Sequence, residues 1–343
     1  MDDLMDGLDT AIEQCMGVTK KDRILIVADT ASKNIGLVLK QEGLKKTKHV
    51  RFFDLDMPAY GGRPLRAMPQ GLLEALDDAT VTFFLAAPKE GELKTVREPF
   101  LQKVIRRARH AHMVGVTEEI VRTGLRADYE KIEAVTMRLY EVLSKTREVA
   151  VRSPAGTDLR ITFSPHVKWI PCTGILRRVG EWDNLPSGEV FTAPENIEGT
   201  AVVDGTVGDW IGDKYKERVD YRSTPLIVEI GTDEGPYLRS VRCRHPELLT
   251  DFQNYTGEER CASRVGEVGF GTNIFLKEFI GNILQDEKFP GAHIAFGDPY
   301  HEKTRAGWSC SHHIDLVMRE CSVWADGKQI MERGRYVNLL NGV

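Results

Sequence analysis

At 343 residues the chain exceeds what one ordinary hydrophobic core organises, so two domains are expected. Its 41% hydrophobic and 28% charged residues fit a globular protein, and a net charge of −5 with a pI near 6.0 leaves no basic footprint for nucleic acid. The acidic start, Met1-Asp2-Asp3-Leu4-Met5-Asp6-Gly7, lacks the positive n-region of a secretory leader, and the apolar run Phe83-Phe84-Leu85-Ala86-Ala87 is far too short to span a bilayer, so a cytoplasmic protein with no membrane partner is expected.

Residues 1–147 alternate strand-like and helix-like stretches. Short apolar runs at 23–27, 50–55, 81–85 and 113–116 predict strands, and the pattern at 101–107 is helical. Buried strands separated by helices imply a parallel sheet covered on both faces, hence a Rossmann-like α/β domain. The turn after the first strand reads Ala28-Asp29-Thr30-Ala31-Ser32. No Gly-x-Gly-x-x-Gly stands there, so no dinucleotide site is expected. A long helix follows over 128–145, with Ile132, Val135, Met137, Leu139, Val142 and Leu143 on its apolar face.

From residue 148 the texture changes. Residues 148–152 and 159–163 alternate around the turn Ser153-Pro154-Ala155-Gly156-Thr157-Asp158, which predicts a β-hairpin. Beyond it the chain is glycine-rich, with short strands and one helix expected near 273–284. The boundary is placed near 148, giving a Rossmann-like domain over 1–147 and an α+β domain over 148–343, the one that the acids and histidines below mark as the expected catalytic, metal-binding part. Six cysteines, at 15, 172, 243, 261, 310 and 321, form no Cys-x-x-Cys pair. That argues against a thiolate zinc site and against a disulfide framework.

Four of the nine histidines fall within about twenty residues, at 293, 301, 312 and 313, in company with acids and Tyr300. Imidazole and carboxylate together suit zinc, cobalt, manganese or iron(II). His313-Ile314-Asp315 reads as a strand, so His313 and Asp315 share a face about 7 Å apart and can converge on an ion; a plain His–Asp hydrogen bond on a sheet surface is the alternative. His293 lies among small and apolar residues, which also fits a hydrogen-bonded core histidine. Glu287 sits on a turn before Pro290-Gly291, where a solvated acid is common. Glu189 and Glu267 each stand in a Gly-Glu-Val strand. A carboxylate among apolar neighbours needs a cation, a proton or a set of donors. Tyr300 is either a packed aromatic or a phenol aimed at an anionic intermediate. Gly-x-Ser-x-Gly, His-Glu-x-x-His and P-loop motifs are absent.

In order, these pieces resemble the aminopeptidase T/aminopeptidase S family of metalloaminopeptidases. The likeness runs through Pro154-Ala155-Gly156-Thr157-Asp158-Leu159, Pro186-Ser187-Gly188-Glu189-Val190-Phe191-Thr192-Ala193, Gly266-Glu267-Val268, Asp286-Glu287, Ala292-His293-Ile294-Ala295, Tyr300 and His313-x-Asp315. The resemblance implies two divalent metal ions, zinc or cobalt above manganese or iron, held by Glu189, Glu267, Glu287, His293, His313 and Asp315. It implies a catalytic Tyr300, a peptide or small amide substrate, and a homodimer; within such a two-metal site Glu267 is the carboxylate expected to bridge the ions and take part in catalysis. The chain departs from that pattern in being shorter, in carrying one extra residue between Glu287 and His293, and in reading Trp308-Ser309-Cys310-Ser311-His312 before His313. Glu181-Trp182-Asp183-Asn184-Leu185-Pro186-Ser187-Gly188 is also similar to 2,5-dihydroxypyridine 5,6-dioxygenase, a mononuclear iron(II) enzyme of the same fold family. That enzyme matches His313 and Asp315 but has a histidine where this chain has Glu267, and no acid where this chain has Glu189.

Overall fold

A computed structural model describes residues 2–89, 91–231, 234–337 and 339. The chain forms two compact units, Met1–Glu130 with Thr173–Ser187, and Lys131–Cys172 with Gly188–Val343. The division therefore differs from a single boundary near 148. Helix Tyr129–Leu143 passes into the second unit, because its Val135, Leu139 and Leu143 share one apolar cluster with Val149, Val151, Leu159 and Ile161 of the hairpin that follows. The return of 173–187 to the first unit supplies a strand that no periodicity marks.

The first unit is built on a parallel sheet. Its strands are β1 (Ile24–Ala28), β2 (Val50–Asp54), β3 (Val81–Phe84) and β4 (Arg109–His112), with β8 (Trp182–Asn184) at the edge, in the order β2-β1-β3-β4-β8. Helix Lys33–Lys46 lies over one face, where a Cβ at Gly36 would touch Phe52 and Ile26. Helices Gln70–Asp78 and Glu98–Val104 cover the other, packing Leu72, Leu76, Phe100 and Val104 with Leu25, Val27 and Phe84. Both faces are apolar, as a parallel sheet requires. The fourth strand lies at Arg109–His112 rather than 113–116, and the helix before it is Glu98–Val104 rather than 101–107. The Arg-His-Ala-His run carries no apolar signal; it is a strand because His110 and Ala111 are buried between neighbours.

Beyond β1 and β3 the crevice is filled by side chains. Arg63 donates through Nη1 to Asp29 Oδ2 at 2.7 Å and through Nε to Glu92 Oε2 at 3.0 Å. Asp29 also accepts from Ser32 and from the Ala87 amide. All three charged groups are buried.

The second unit holds two antiparallel sheets. The larger runs β12-β11-β10-β6-β5-β16-β17-β18. Its members are β5 (Glu148–Arg152), β6 (Asp158–Thr162), β10 (Asn196–Val203), β11 (Leu226–Gly231), β12 (Tyr237–Arg242), β16 (Ser322–Ala325), β17 (Lys328–Glu332) and β18 (Arg335–Tyr336). The expected hairpin is the pair β5–β6. The smaller runs β15-β14-β13-β9-β7, from β7 (Ile170–Cys172), β9 (Glu189–Thr192), β13 (Val265–Gly271), β14 (Gly291–Gly297) and β15 (His313–Met318). The helix expected over 273–284 is confined to Ile283–Asp286, capped by the Asn282 side chain. Cys261 and Cys310 are joined by a disulfide, contrary to the reading of the cysteines. They stand 49 positions apart in sequence, so spacing carries no hint; they meet because one lies just before β13 and the other in the loop entering β15. Among the described residues no helix is long and apolar enough to cross a membrane.

His110 gives the first unit a pH dependence. Burial pushes its imidazole down from 6.5 to about 3, against the hydrogen bonding of Thr82. Above about 6.5 both folded and unfolded forms are neutral and its contribution is whole; as pH falls below 6.5 only the unfolded form takes the proton, and stability is lost until about 3. Urea unfolding of His110→Gln is expected to show a shallower loss of stability with pH across that window than the parent chain.

Candidate metal centre

The period-two geometry of strands sorts the smaller sheet of the second unit into two faces. Val190, Val268, Phe270, Ile294, Phe296, Ile314, Leu316 and Met318 point into the apolar core. The residues between them, Glu189, Glu267, His293, His313 and Asp315, share the other face. Pairing aligns them. Ala295 stands between Glu267 and Asp315, His293 stands opposite Gly269, His313 opposite Gly297, and Glu189 opposite Gly271. Small residues thus occupy the intervening positions, and the long polar side chains converge over them. Gly269 makes the closest approach: a Cβ there would lie 2.1 Å from His293 Nε2.

The sequence-predicted residues meet in one nest. His293 Nε2 lies 3.3 Å from Glu267 Oε1 and 3.4 Å from Glu189 Oε2. His313 Nε2 lies 3.4 Å from Asp315 Oδ2 and 3.8 Å from Glu267 Oε2. Glu267 therefore presents one oxygen to each histidine. The Nδ1 of His313 faces the Asp298 carbonyl at 2.9 Å, so an Nδ1–H tautomer leaves Nε2 free for a ligand. The His313 amide donates to the Tyr255 hydroxyl, which in turn donates to Asp209, fixing the start of β15. Glu287, expected as a sixth ligand, is buried in the same nest, with its carboxylate 2.6 Å from Lys288 Nζ.

Charge repulsion and burial set the protonation of this nest. Burial raises the Glu267 carboxyl, and burial with the charges of Asp315 and Glu189 raises that of Glu287, which the Lys288 ammonium pulls back toward the ionised form. Burial alone would lower His293, but its Glu267 hydrogen bond and the Glu189 charge carry it up to about 9. Likewise the Asp315 charge and hydrogen bond overcome burial and carry His313 up to about 10. Protons thus collect where carboxylates crowd, and a cation at the same place displaces them.

Tyr300 ends the row. Its ring centroid is 4.8 Å from that of His313 and 5.7 Å from that of Phe191, and its backbone is left-handed at φ 50°. Burial and the charges of Glu267, Asp315 and Glu287 hold its phenol well above the usual range, so it stays a proton donor.

The donor set fits a metal. Oε2 of Glu189 and Oε2 of Glu267 are buried without a hydrogen-bond partner, and Glu189, Glu267 and His293 bring ligand atoms within 4.8 Å of one another. An unpartnered buried carboxylate oxygen is expensive unless a cation meets it. A second grouping, Glu259 with Cys310 and His312, is no equal, since the Cys310 sulfur is committed to the disulfide. Sequence reasoning missed Lys288, whose side chain is fully buried and 2.6 Å from both Glu189 Oε1 and Glu287 Oε1. A lysine beside an acid reads as solvated surface; only its place inside an otherwise apolar stretch, Lys288-Phe289-Pro290-Gly291-Ala292, hinted at burial.

A parallel-sheet unit and an antiparallel unit bearing a buried acid–histidine nest define a two-unit α/β protein with a candidate metal centre. Residues 102–274 match the sequence profile NicX: 2,5-dihydroxypyridine 5,6-dioxygenase, half of the chain, and the chain belongs to that family. It is 23% identical over 206 residues to the 2,5-dihydroxypyridine 5,6-dioxygenase of Pseudomonas putida strain KT2440, a match spanning 57% of this chain and 56% of that enzyme. A solved structure of the 2,5-dihydroxypyridine dioxygenase from Pseudomonas putida KT2440 superposes with a TM-score of 0.69 at 19% identity, covering 98% of this chain and 97% of the other. Wild-type AmpT from Thermus thermophilus superposes with a TM-score of 0.70 at 17% identity, covering 98% and 99%. At these identities the two superpositions speak for the fold alone. The family assignment thus falls on the dioxygenase resemblance, and the aminopeptidase resemblance is matched in fold.

Replacing Gly269 with alanine is expected to push the His293 ring out of the nest, at a cost of about 1–3 kcal/mol in stability. Urea unfolding and a zinc titration check this: the variant should be less stable and bind zinc more weakly.

Proposed function

We propose that the chain is a metal-dependent hydrolase of peptide or amide bonds, in which Glu189, Glu267 and His293 hold one divalent ion and Glu267, His313 and Asp315 hold another. The observation that carries this reading is the division of Glu267, with Oε1 toward His293 and Oε2 toward His313. Four carboxylates, those of Glu189, Glu267, Glu287 and Asp315, face a single ammonium, that of Lys288. Once bound metal displaces the protons of His293 and His313, four carboxylates against one ammonium favour two divalent cations over one. When bound, zinc or cobalt (manganese or iron as substitutes) lowers the pKa of water and polarises a carbonyl.

The chain's own residues do the rest. Tyr300, kept protonated, donates its phenol proton into a hydrogen bond with the oxyanion that forms at the attacked carbonyl. Glu267 holds the two halves of the nest in register through its two oxygens. A substrate with a free α-amine and a homodimer belong to the same proposal. Elemental analysis is expected to find two divalent ions per chain, and chelator should abolish cleavage of aminoacyl amides. Tyr300→Phe is expected to lower kcat by about 10²–10³-fold with metal content unchanged.

A second reading rests on the family assignment and on the His313–Asp315 pair: a mononuclear iron(II) dioxygenase opening a dihydroxypyridine ring. One iron per chain, with oxygen uptake on adding 2,5-dihydroxypyridine, would select it over the hydrolase.

A further inference from the structure

The buried lysine gives the nest a fixed cation of its own. Lys288 Nζ is 2.6 Å from Glu189 Oε1 and 2.6 Å from Glu287 Oε1, and none of its side chain reaches solvent. Its backbone is clamped: the Lys288 amide donates to the Gln285 carbonyl, and its own carbonyl accepts from the Asn273 amide. Gly271 on β13 permits this close seat, since a Cβ there would fall 2.1 Å from the Phe289 carbonyl oxygen and 2.6 Å from that of Lys288. The outcome is an asymmetry within Glu189. Its Oε1 is taken by the ammonium, while its Oε2 is buried without a hydrogen-bond partner and faces His293. Glu287 offers Lys288 a second countercharge, and a buried ammonium ordinarily needs such pairing.

We infer that Lys288 is a positioning residue that restricts Glu189 to one metal-binding oxygen and holds Glu287 as a countercharge rather than as a metal ligand. This rests on the metal-binding reading above, and it limits that reading to five ligand residues. An ion held by the free Oε2 of Glu189 would bind close to the Lys288 ammonium, whose positive charge would oppose it and weaken its binding. Residual affinity is thereby tuned down, and an excess of cations is kept out of the Glu189–Glu287 corner.

The test is a zinc competition titration with elemental analysis, run on the full chain and on Lys288→Met, Lys288→Arg and Glu287→Gln, each checked by urea unfolding. Lys288→Met removes one unit of charge and frees Glu189 Oε1, so it is expected to bind zinc about tenfold more tightly or better. A merely structural role would loosen binding, never tighten it. Lys288→Arg keeps the charge and should stay at the parent affinity. Glu287→Gln, close in shape to the parent, should keep the parent number of ions, and it decides the matter alone if Lys288→Met does not fold. Loss of an ion in Glu287→Gln, or unchanged or weaker zinc binding in folded Lys288→Met, would overturn the inference while leaving the metal centre intact. A parent chain that takes up no divalent ion would instead overturn the metal-binding reading, and the inference with it.

Discussion

Crowding of carboxylates on one buried sheet face is the constraint on which the rest of the second unit depends. A lone ionised carboxylate out of water is costly, and several together cost more unless opposite charge is supplied. Glu189, Glu267, Glu287 and Asp315 are all buried, and the groups that answer them are His293, His313 and Lys288. The apolar rows on the other face of the same strands anchor this arrangement against the core. The sheet therefore bears stability on one side and chemistry on the other, and a one-residue slip in register would exchange them.

Rigidity follows from where the ligands are mounted. Glu267, His293, His313 and Asp315 all lie on three neighbouring strands, and Glu189 on the fourth, so hydrogen-bonded ladders fix their spacing. The disulfide pins the turn before β13 to the loop entering β15, close to the ends that bring Glu267 and His313 in. Tyr255 and Asp298 steady His313 from behind through its amide and its Nδ1. These are the supporting contacts that a preformed cation site needs.

Much of this was legible in the sequence where local pattern and tertiary demand agree. The apolar runs of β1 to β3, the hairpin β5–β6 and the helix at Tyr129–Leu143 announce themselves by periodicity. The Gly-Glu-Val segments and His313-x-Asp315 pointed to the nest because an acid in an apolar strand demands a partner. What escaped was decided by contacts distant in sequence. The strand Arg109–His112 is polar in letters and buried in fact, since parallel neighbours on either side enclose it. The helix expected over 273–284 shrinks to four residues, Ile283–Asp286, because that segment delivers backbone to the edge of β13, with Asn273 meeting Lys288. The role of Lys288 was invisible because adjacent residues Glu287 and Lys288 read as an ordinary surface pair.

Arg63 gives the first unit a different character. In open α/β sheets the gap past the strand ends, where the order reverses, is where cofactors usually dock. Here it is closed by the protein's own guanidinium, satisfied on both sides by Asp29 and Glu92. Any nucleotide entering there would first have to evict an internal tenant and strand two acids without counterions.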